Sequence, residues 1–469
     1  MSTVEKAENI KTMSANNPKT TAEQSEQTKH AEQSEQTEQS EQTKHAEHTE
    51  QAGEKKHNEA PFDDILENTL SYKRTSTSKN IISSETKLPD AIQISNISEM
   101  NGVLKFTLAD VNVSIANAIR RTILTDIPVV AFRVFPHNEN QADFIVNTTR
   151  FHNEYLKQRL GCIPIHISEH EMPLDDLVVE INKENTTSNM MYVTTEDFKI
   201  KTLSTGKYLD ERVVRTIFPP NKVTGDYILF ARLRPKGSSD VPGEKLIVNA
   251  KMSIQMPEDN GMYNTVSCIA YANTPDKATQ DAIWQQQLAK LSDEEKKSDE
   301  FKIIRNDWYN HKAKRHFIKN SFDFKVETIG VFDNLDICRK ACSIIIGKIK
   351  GIMEGIKDKK LKVTLANSTL ANCFDLILSN TGYTIGKIIE YIVYSKYYLG
   401  KQNILTYVGF MKPHPHKSDS ILRCAFDKRY MGDYYYDMIY SACQIAIKIY
   451  EKIDDEYASI GGGGGGEYK

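Results

Sequence analysis

The sequence predicts an α+β protein in which one chain carries two related units, the first interrupted by a mainly β segment. Three observations predict this. The stretch LADVNVSIANAIRR at 108 and the stretch LANSTLANCFDLIL at 365 have similar lead-ins, Lys105-Phe106-Thr107 and Lys362-Val363-Thr364. The surroundings of both run in the order strand, helix, strands, long helix. Between the two parts of the first unit, from about 167 to 270, the texture changes to short β-branched runs such as DLVVEI and YILFARL, separated by Asn, Thr, Gly and Pro.

In chain order, residues 91–108 read as a strand-rich entry, with Asn101-Gly102 as the turn between two alternating runs. A helix is expected from about Ser114 to Asp126. It ends at Ile127-Pro128, because the residue before proline is disfavoured in the helical region. VVAFRVF at 129–135 reads as a strand, and HNEYLKQRL at 152–160 as a short helix with Gly161 as a left-handed cap and Pro164 as a stop. After the β segment, residues 274–312 are polar and charged, with room for a solvated helix, and HFIKNSFDFKVETIG returns as a strand. A long helix at 333–357 aligns Leu335, Cys338, Cys342, Ile345 and Ile349 on one face. The second copy is expected to run strand, loop and helix from 361, then a Tyr- and Ile-rich stretch, a strand pair around ILTYVGFM and SILRCAF, and a last helix at 434–457 with Met438, Ala442, Ile445, Ile449 and Ile453 on one side. The expected divisions are a low-complexity tail at 1–88, the first unit at 89–166 and 313–358, the β-rich insertion at 167–270, a charged linker at 271–312, the second unit at 359–458 and a flexible Gly-rich end at 459–469.

The tail repeats EQTKHAE at 26 and 41 and has almost nothing to bury, the composition of a disordered segment. It lacks the apolar region of a signal peptide, and no later stretch has the roughly 18 apolar residues of a membrane span. A soluble, intracellular protein is expected. The net charge of -3 provides no global cationic field, so nucleic acid is expected to be reached only through partners. Seven cysteines form no CxxC pair, and their odd number argues for reduced thiols packed as small hydrophobes.

On a helical wheel, Ile115, Ile119 and Ile123 share one face while Asn117, Arg121 and Leu124 take the opposite one, with Arg120 at the margin. Asn, Arg and Leu together suit a partner surface better than water. Aligned through Ala116-Asn117 and Ala371-Asn372, the second copy would present Leu370, Phe374, Ile377 and Leu378, with Asp375 and Leu376 where the first has its arginines. Two such units can bury their apolar helix faces about a pseudo-two-fold axis, and only the first then offers arginines to a third body.

SIANAIRRTILTDIPVVAF followed by FHNEYLKQRLGCIPI resembles the assembly domain of the RNA polymerase α-type subunits: bacterial α, its archaeal counterpart and the third-largest subunit of eukaryotic RNA polymerase II. STLANCFDLIL with YVGFMKPHPHKSDSILRCAF is similar to their smaller partner, a separate small chain in archaea and the eleventh subunit of polymerase II in eukaryotes. Both on one chain resemble the fused subunit 3/11 of large nucleocytoplasmic DNA viruses, over about residues 90–458. The resemblance implies two α-like dimerisation units in an intrachain pseudo-dimer, a non-catalytic platform for the two largest polymerase subunits. Other small polymerase subunits are implied as further partners, with no membrane contact. Carried over by motif, Arg120, Arg121, Glu154, Arg159, Leu160 and Gly161 would dock a partner subunit. Ile115, Ala116, Asn117 and Ile119 with Leu370, Ala371, Asn372 and Phe374 would form the internal interface. A viral origin implies the virion and a cytoplasmic factory; a cellular enzyme would be nuclear.

Two departures limit the likeness. Eukaryotic third subunits often hold zinc through cysteines in the inserted domain, yet no cysteine lies between His166 and Ser267, so no cofactor is expected. Bacterial α carries a DNA-binding domain after a linker, and nothing here matches it. Residues 380–405 have no counterpart in the alignment.

Other motifs are weaker. His152-x-Glu154 resembles the ligand-plus-base pair of zinc deaminases but lacks the PCxxC. His166 with His170, and His414 with His416, have no nearby ligand cluster, and no GxxxxGK[ST], GxSxG or HExxH occurs. The run KIKGIMEGIKDKK at 348–360 reads as a solvated helix end. The competing functions are a stand-alone interaction scaffold using the same fold and a metal enzyme built on His152 and Glu154.

Overall fold

The computed structural model describes residues 89, 91–167, 172–237, 242–292, 294–400, 403–429 and 432–462. The expected disordered tail and most of the Gly-rich end lie outside the described residues. The elements follow as β1 (Gln93–Met100), β2 (Val103–Ala109), α1 (Val113–Thr125), β3 (Val129–Ala131), β4 (Ala142–Asn147) and α2 (Asn153–Gly161). Next come β5 (Leu177–Glu184), β6 (Met191–Thr194), β7 (Lys199–Thr202), α3 (Glu211–Ile217), β8 (Leu229–Leu233), β9 (Lys245–Lys251) and β10 (Ser253–Gln255). Then follow β11 (Val266–Pro275), α4 (Lys277–Leu288), α5 (Asp299–Asp307), β12 (Phe317–Thr328) and α6 (Asn334–Lys357). The chain closes with β13 (Lys362–Leu365), β14 (Cys373–Leu378), α7 (Tyr383–Val393), β15 (Leu405–Met411), β16 (Ser420–Phe426) and α8 (Gly432–Gly462).

Two four-stranded antiparallel sheets have the same order. One is β1-β2-β12-β11 and the other β13-β14-β16-β15; in each, a helix follows the second strand and a long helix follows the fourth. The β1–β2 turn forms as its sequence requires, with Asn101 and Gly102 both at positive φ, 55° and 76°. Asn112 caps α1, its side-chain Oδ1 accepting from the Ser114 amide at 2.9 Å. The equivalent backbone bend recurs before α7: Asp110 and Asn380 take φ of 60° and 53°, each three residues ahead of its helix.

This match corrects the expected register of the second copy. Residues 370–378 are not a helix. Leu370 and Ala371 are exposed in the approach to β14, and Asn372 sits half-buried at φ 49°. Phe374 lies on β14, which pairs antiparallel with β16 along its whole length. Asp375 and Arg423, cross-strand neighbours, form a two-pronged ion pair at 2.7 and 2.8 Å that ties the register. The helix is α7, inside the stretch 380–405 that had no counterpart. Other expectations shift less. The strand from 129 stops at Ala131 because its ladder partner, β10, is three residues long. Residues 274–312 hold two helices closed over Trp284 and Trp308, whose rings stack at 5.9 Å.

α1, α6, α7 and α8 pack together between and upon the two sheets in one continuous core. Ile115, Ile119 and Ile123 are fully buried from α1, and Ile388, Ile389 and Ile392 from α7. Each such side chain contributes about 1.5–3 kcal/mol on leaving water. α8 runs along α6 and touches β1: Tyr450 Oη donates to the Ile115 carbonyl at 3.2 Å, and Arg339 bonds Asp454 at 3.0 Å. Phe106 stacks on Phe324 and meets Tyr457 edge-on. A second core, within residues 130–252, is built from the sheet β4-β9-β5-β7, the pair β6-β8, α2 and α3, around Phe198, Phe218 and Phe230. Among the described residues no helix is long and apolar enough to cross a membrane.

Two glycines test this packing. A Cβ at Gly386 would stand 2.2 Å from the Phe410 ring, whereas one at Gly347 would meet nothing within 4 Å. Gly386→Ala is expected to lower stability by about 1–3 kcal/mol through overpacking, and Gly347→Ala to raise it by up to about 1 kcal/mol through helix propensity, read from denaturant midpoints. The cysteines provide a second test. Burial pushes the thiols of Cys338, Cys424 and Cys443 up to about 12, while Cys162 is exposed. These thiols stay neutral in the folded chain, so their contribution is complete below the unfolded thiol range near pH 8.5 and is lost as pH rises from there towards 12. A thiol reagent at pH 8 is expected to modify Cys162 rapidly and the three buried thiols only on unfolding, and melting temperature should fall in alkali.

Candidate functional site

The outward face of α1 meets the start of α7 at a cleft of about 680 Å³ lined by Arg121, Thr125, Asp126, Lys348, Thr384 and Lys412 among others. Each comes from a different constraint of the fold. Arg121 is on the exposed side of α1 because Ile115, Ile119 and Ile123 claim the other. Its Nε donates to Thr384 Oγ1 at 2.9 Å, joining the two helices across the cleft. Lys348 reaches from α6 to Asp126 at 2.9 Å, and the Lys412 amide donates to Tyr383 Oη at 3.3 Å. Gly382 precedes α7 as its cap residue without a side-chain cap bond, so the uncapped start of the helix, with Thr381, Gly382, Thr384 and Ile385, lies at the cleft. Three cations and a helix start outweigh Asp126 and Glu258 here. The surface suits a carboxylate or carbonyl-bearing segment of another chain.

Counting from the matched bends, Asn117, Arg120 and Arg121 of α1 correspond to Lys387, Glu390 and Tyr391 of α7. Arg120 Nε donates to Asn117 Oδ1 at 3.0 Å, and at the same step of α7 Lys387 bonds Glu390 at 2.5 Å. The asymmetry between the helices therefore stands, with different residues than the sequence alignment supplied. Ile115, Ala116 and Ile119 are buried and Asn117 is half-buried. α7 packs on α1 with Ile385, Ile388 and Ile389 buried in the same core; of the expected second-copy residues Leu370 and Ala371 are exposed, Asn372 is half-buried, and Phe374 packs against this core from β14.

The second group of expected docking residues lies apart from this cleft. Leu160 is fully buried in the second core. Gly161 is also buried, inside α2 rather than capping it: a Cβ there would come within 2.6 Å of Val134 Cγ2 and 2.7 Å of Met262 Sδ. Close packing, not a left-handed backbone, is what requires glycine. Arg159 is exposed but engaged within the chain, donating from Nε to the Phe230 carbonyl at 2.8 Å and from Nη2 to that of Leu229 at 2.5 Å. Glu154 is exposed and pairs with Lys157 at 3.3 Å. Thr384, Lys348 and Lys412 were not anticipated. Lys348 lay in a run read as a helix end, and Thr384 in the stretch without a counterpart.

The histidines have ordinary surroundings. His152 packs on the Tyr155 ring, and His414 Nδ1 accepts from the His416 amide at 3.1 Å. His166 bonds the Ile217 carbonyl, and burial lowers its pKa. His170 lies outside the described residues. Among the described residues no three His, Cys, Asp or Glu side chains gather as a metal set. The cysteine-held zinc of eukaryotic third subunits does not fit the second core, which has no thiol between residues 163 and 267.

The profile of the RNA polymerase Rpb3/Rpb11 dimerisation domain matches residues 105–349, just over half of the sequence, and the chain belongs to that family. Its relatives include the RNA polymerases I and III subunit rpac1 of Dictyostelium discoideum, 22% identical over 300 residues that cover 58% of this chain and 83% of that one. The RNA polymerase subunit Rpo3 of Thermococcus kodakarensis is 32% identical over 95 residues, 19% of this chain and 34% of the subunit. The RNA polymerase II subunit RPB3 of Schizosaccharomyces pombe is 35% identical over 82 residues, 18% and 25%. The chain thus spans about a third or less of the two relatives to which it is more than 30% identical.

The Arg159 geometry can be tested directly. Arg159→Ala leaves two carbonyls of β8 without their charged donor and is expected to cost about 1.5–3 kcal/mol. Hydrogen exchange should quicken in β6, β8 and α2 and stay unchanged in α7 and α8.

Proposed function

We propose that this chain is a non-catalytic assembly subunit of a multisubunit DNA-directed RNA polymerase. In this reading an Rpb3-like unit (89–166 and 313–358) and an Rpb11-like unit (359–458) form an internal pseudo-dimer, and residues 167–270 are an inserted domain. The platform collects the two largest, catalytic subunits, with the smaller polymerase subunits around it. The observation that carries the proposal is the uneven repeat: two sheets of identical strand order, one shared helical core, and an arginine facing the cleft from only one of the two matched helices. Family membership over 105–349 supports the first half, and the strand order of β13 to β16 supports the second.

Joining both halves in one polypeptide matches the fused subunit 3/11 of large nucleocytoplasmic DNA viruses, which would put the protein in virions and cytoplasmic factories rather than the nucleus. The chain would lend the polymerase no catalytic group, metal or membrane anchor. Its contribution is geometric: a rigid cleft where a partner's acidic side chain replaces water around Arg121, Lys348 and Lys412.

Purification of the tagged chain from its native source is expected to bring down two very large polymerase subunits. Arg121→Glu should preserve folding, because the side chain is exposed, yet lower recovery of those subunits at least about tenfold, as expected when a charged interface contact is reversed. Recovery of other chains in their place would instead identify a stand-alone interaction scaffold, and undiminished polymerase recovery would remove Arg121 from the docking surface.

A further inference from the structure

The helical excursion between β11 and β12 has no part in the cleft or the shared core, and its chemistry points elsewhere. It is a rigid structure. Trp284 and Trp308, the two tryptophans of the sequence, are 5% and 3% exposed and stack together, with Phe301 and Tyr309 against Trp284. Gln280 is buried and its amide donates to the carbonyls of Ala313 and His316 at 3.0 and 2.9 Å, locking α4 to the segment that follows α5. Asp276 caps α4 through the Thr279 amide and hydroxyl.

What this small core holds outward is a run of cations, with aromatic rings and the exposed isoleucines Ile303, Ile304 and Ile318 among them. Residues 302–319 contain six Lys or Arg and two His against one acid, Asp307, in a chain whose net charge is -3. Lys302 and Arg305 share a face of α5, and Tyr309 and Lys312 follow in the π-helical turn Trp308–Lys312 that continues it. Lys302 is drawn to Asp299 and Lys312 to Asp307, whereas Arg305, Lys314 and Arg315 are exposed and make no ion pair among the described residues. Tyr309 and Phe317 interrupt the cations with rings 40% and 41% exposed. Cations that can follow a phosphate backbone beside rings that can stack on bases suit a nucleic acid strand.

We propose that the α4–α5 excursion is a sequence-independent binding surface for single-stranded nucleic acid, with Arg305, Lys314 and Arg315 on phosphates and Tyr309 and Phe317 against base faces. This departs from the expectation that nucleic acid is reached only through partners. It also stands apart from the assembly reading, since none of its residues lines the cleft around Arg121.

The test is fluorescence anisotropy with the full chain at roughly 50 mM salt, where phosphate contacts are strong. The probes are a labelled strand of about 20 nucleotides as DNA, the same sequence as RNA, the matching duplex, and polyglutamate as a plain polyanion. Both single strands are expected to bind, and a preference for one would identify the polymer contacted. Arg305→Glu/Lys314→Glu/Arg315→Glu should weaken binding at least about tenfold and reduce the salt slope by about 2, since each lost phosphate contact on a single strand removes about 0.7. Tyr309→Ala/Phe317→Ala should weaken the single strands about tenfold and leave duplex binding unchanged. Unchanged melting curves would show that both variants are folded. Absence of strand binding, a charge variant that binds as before, or polyglutamate binding as tightly as either strand would overturn the proposal, the last in favour of an acidic protein partner.

Discussion

The structure depends on a buried contact between elements more than three hundred residues apart in sequence. Tyr450, on the last helix, is fully buried and gives its hydroxyl proton to the Ile115 carbonyl of the first helix. Its phenol is held far above the usual tyrosine range by that burial, so the group is a neutral donor across the working pH range. Around it α1, α6, α7 and α8 contribute isoleucines and cysteines to a core that neither sheet could complete alone. Each sheet has one apolar face to cover, and the helices covering it come from both copies of the repeat. Because both copies lie on one chain, the packing of these helices is intramolecular.

That constraint also explains which residues face outward. With Ile115, Ile119 and Ile123 committed to the core, the geometry of a helix leaves Asn117, Arg120 and Arg121 on the far side. The matched positions on α7 carry Lys387, Glu390 and Tyr391, and Tyr391 is mostly buried. Two helices alike inside thus differ outside, and Arg121 faces the cleft at the start of α7 where its counterpart Tyr391 is buried.

Much of this was legible in the sequence, for reasons that vary by element. The wheel of α1, the Asn101-Gly102 turn and the stripes of α6 and α8 depend on local periodicity or turn chemistry and emerged at nearly the expected residues. The sequence misplaces the second copy because Ala-Asn occurs in both stretches, at 116–117 and 371–372, and makes a false anchor, whereas the shared geometry is a left-handed residue ahead of a helix, at Asp110 and Asn380. Leucine and isoleucine in CFDLIL satisfy a helix face or a buried strand equally well. The decision fell to a long-range partner, the Arg423 guanidinium opposite Asp375, which no local pattern shows. Gly161 illustrates the same limit. A glycine after a short helix reads as a left-handed cap, yet here a β3-proximal valine and Met262 exclude any side chain.

The charges on the two matched helices are what make the repeat uneven. In α1 the step from residue 117 to 120 is an amide bonded to an arginine; in α7 the same step is a lysine bonded to a glutamate. The second arrangement neutralises itself, and the first leaves a guanidinium with unused donors. A pair of identical helices would present two equal cationic faces and invite two copies of a partner, or a second copy of the chain itself. Internal neutralisation on α7 removes one of those faces. The repeat is thus kept in shape and broken in charge: α1 and α7 share their buried faces and differ in the charges they carry outward.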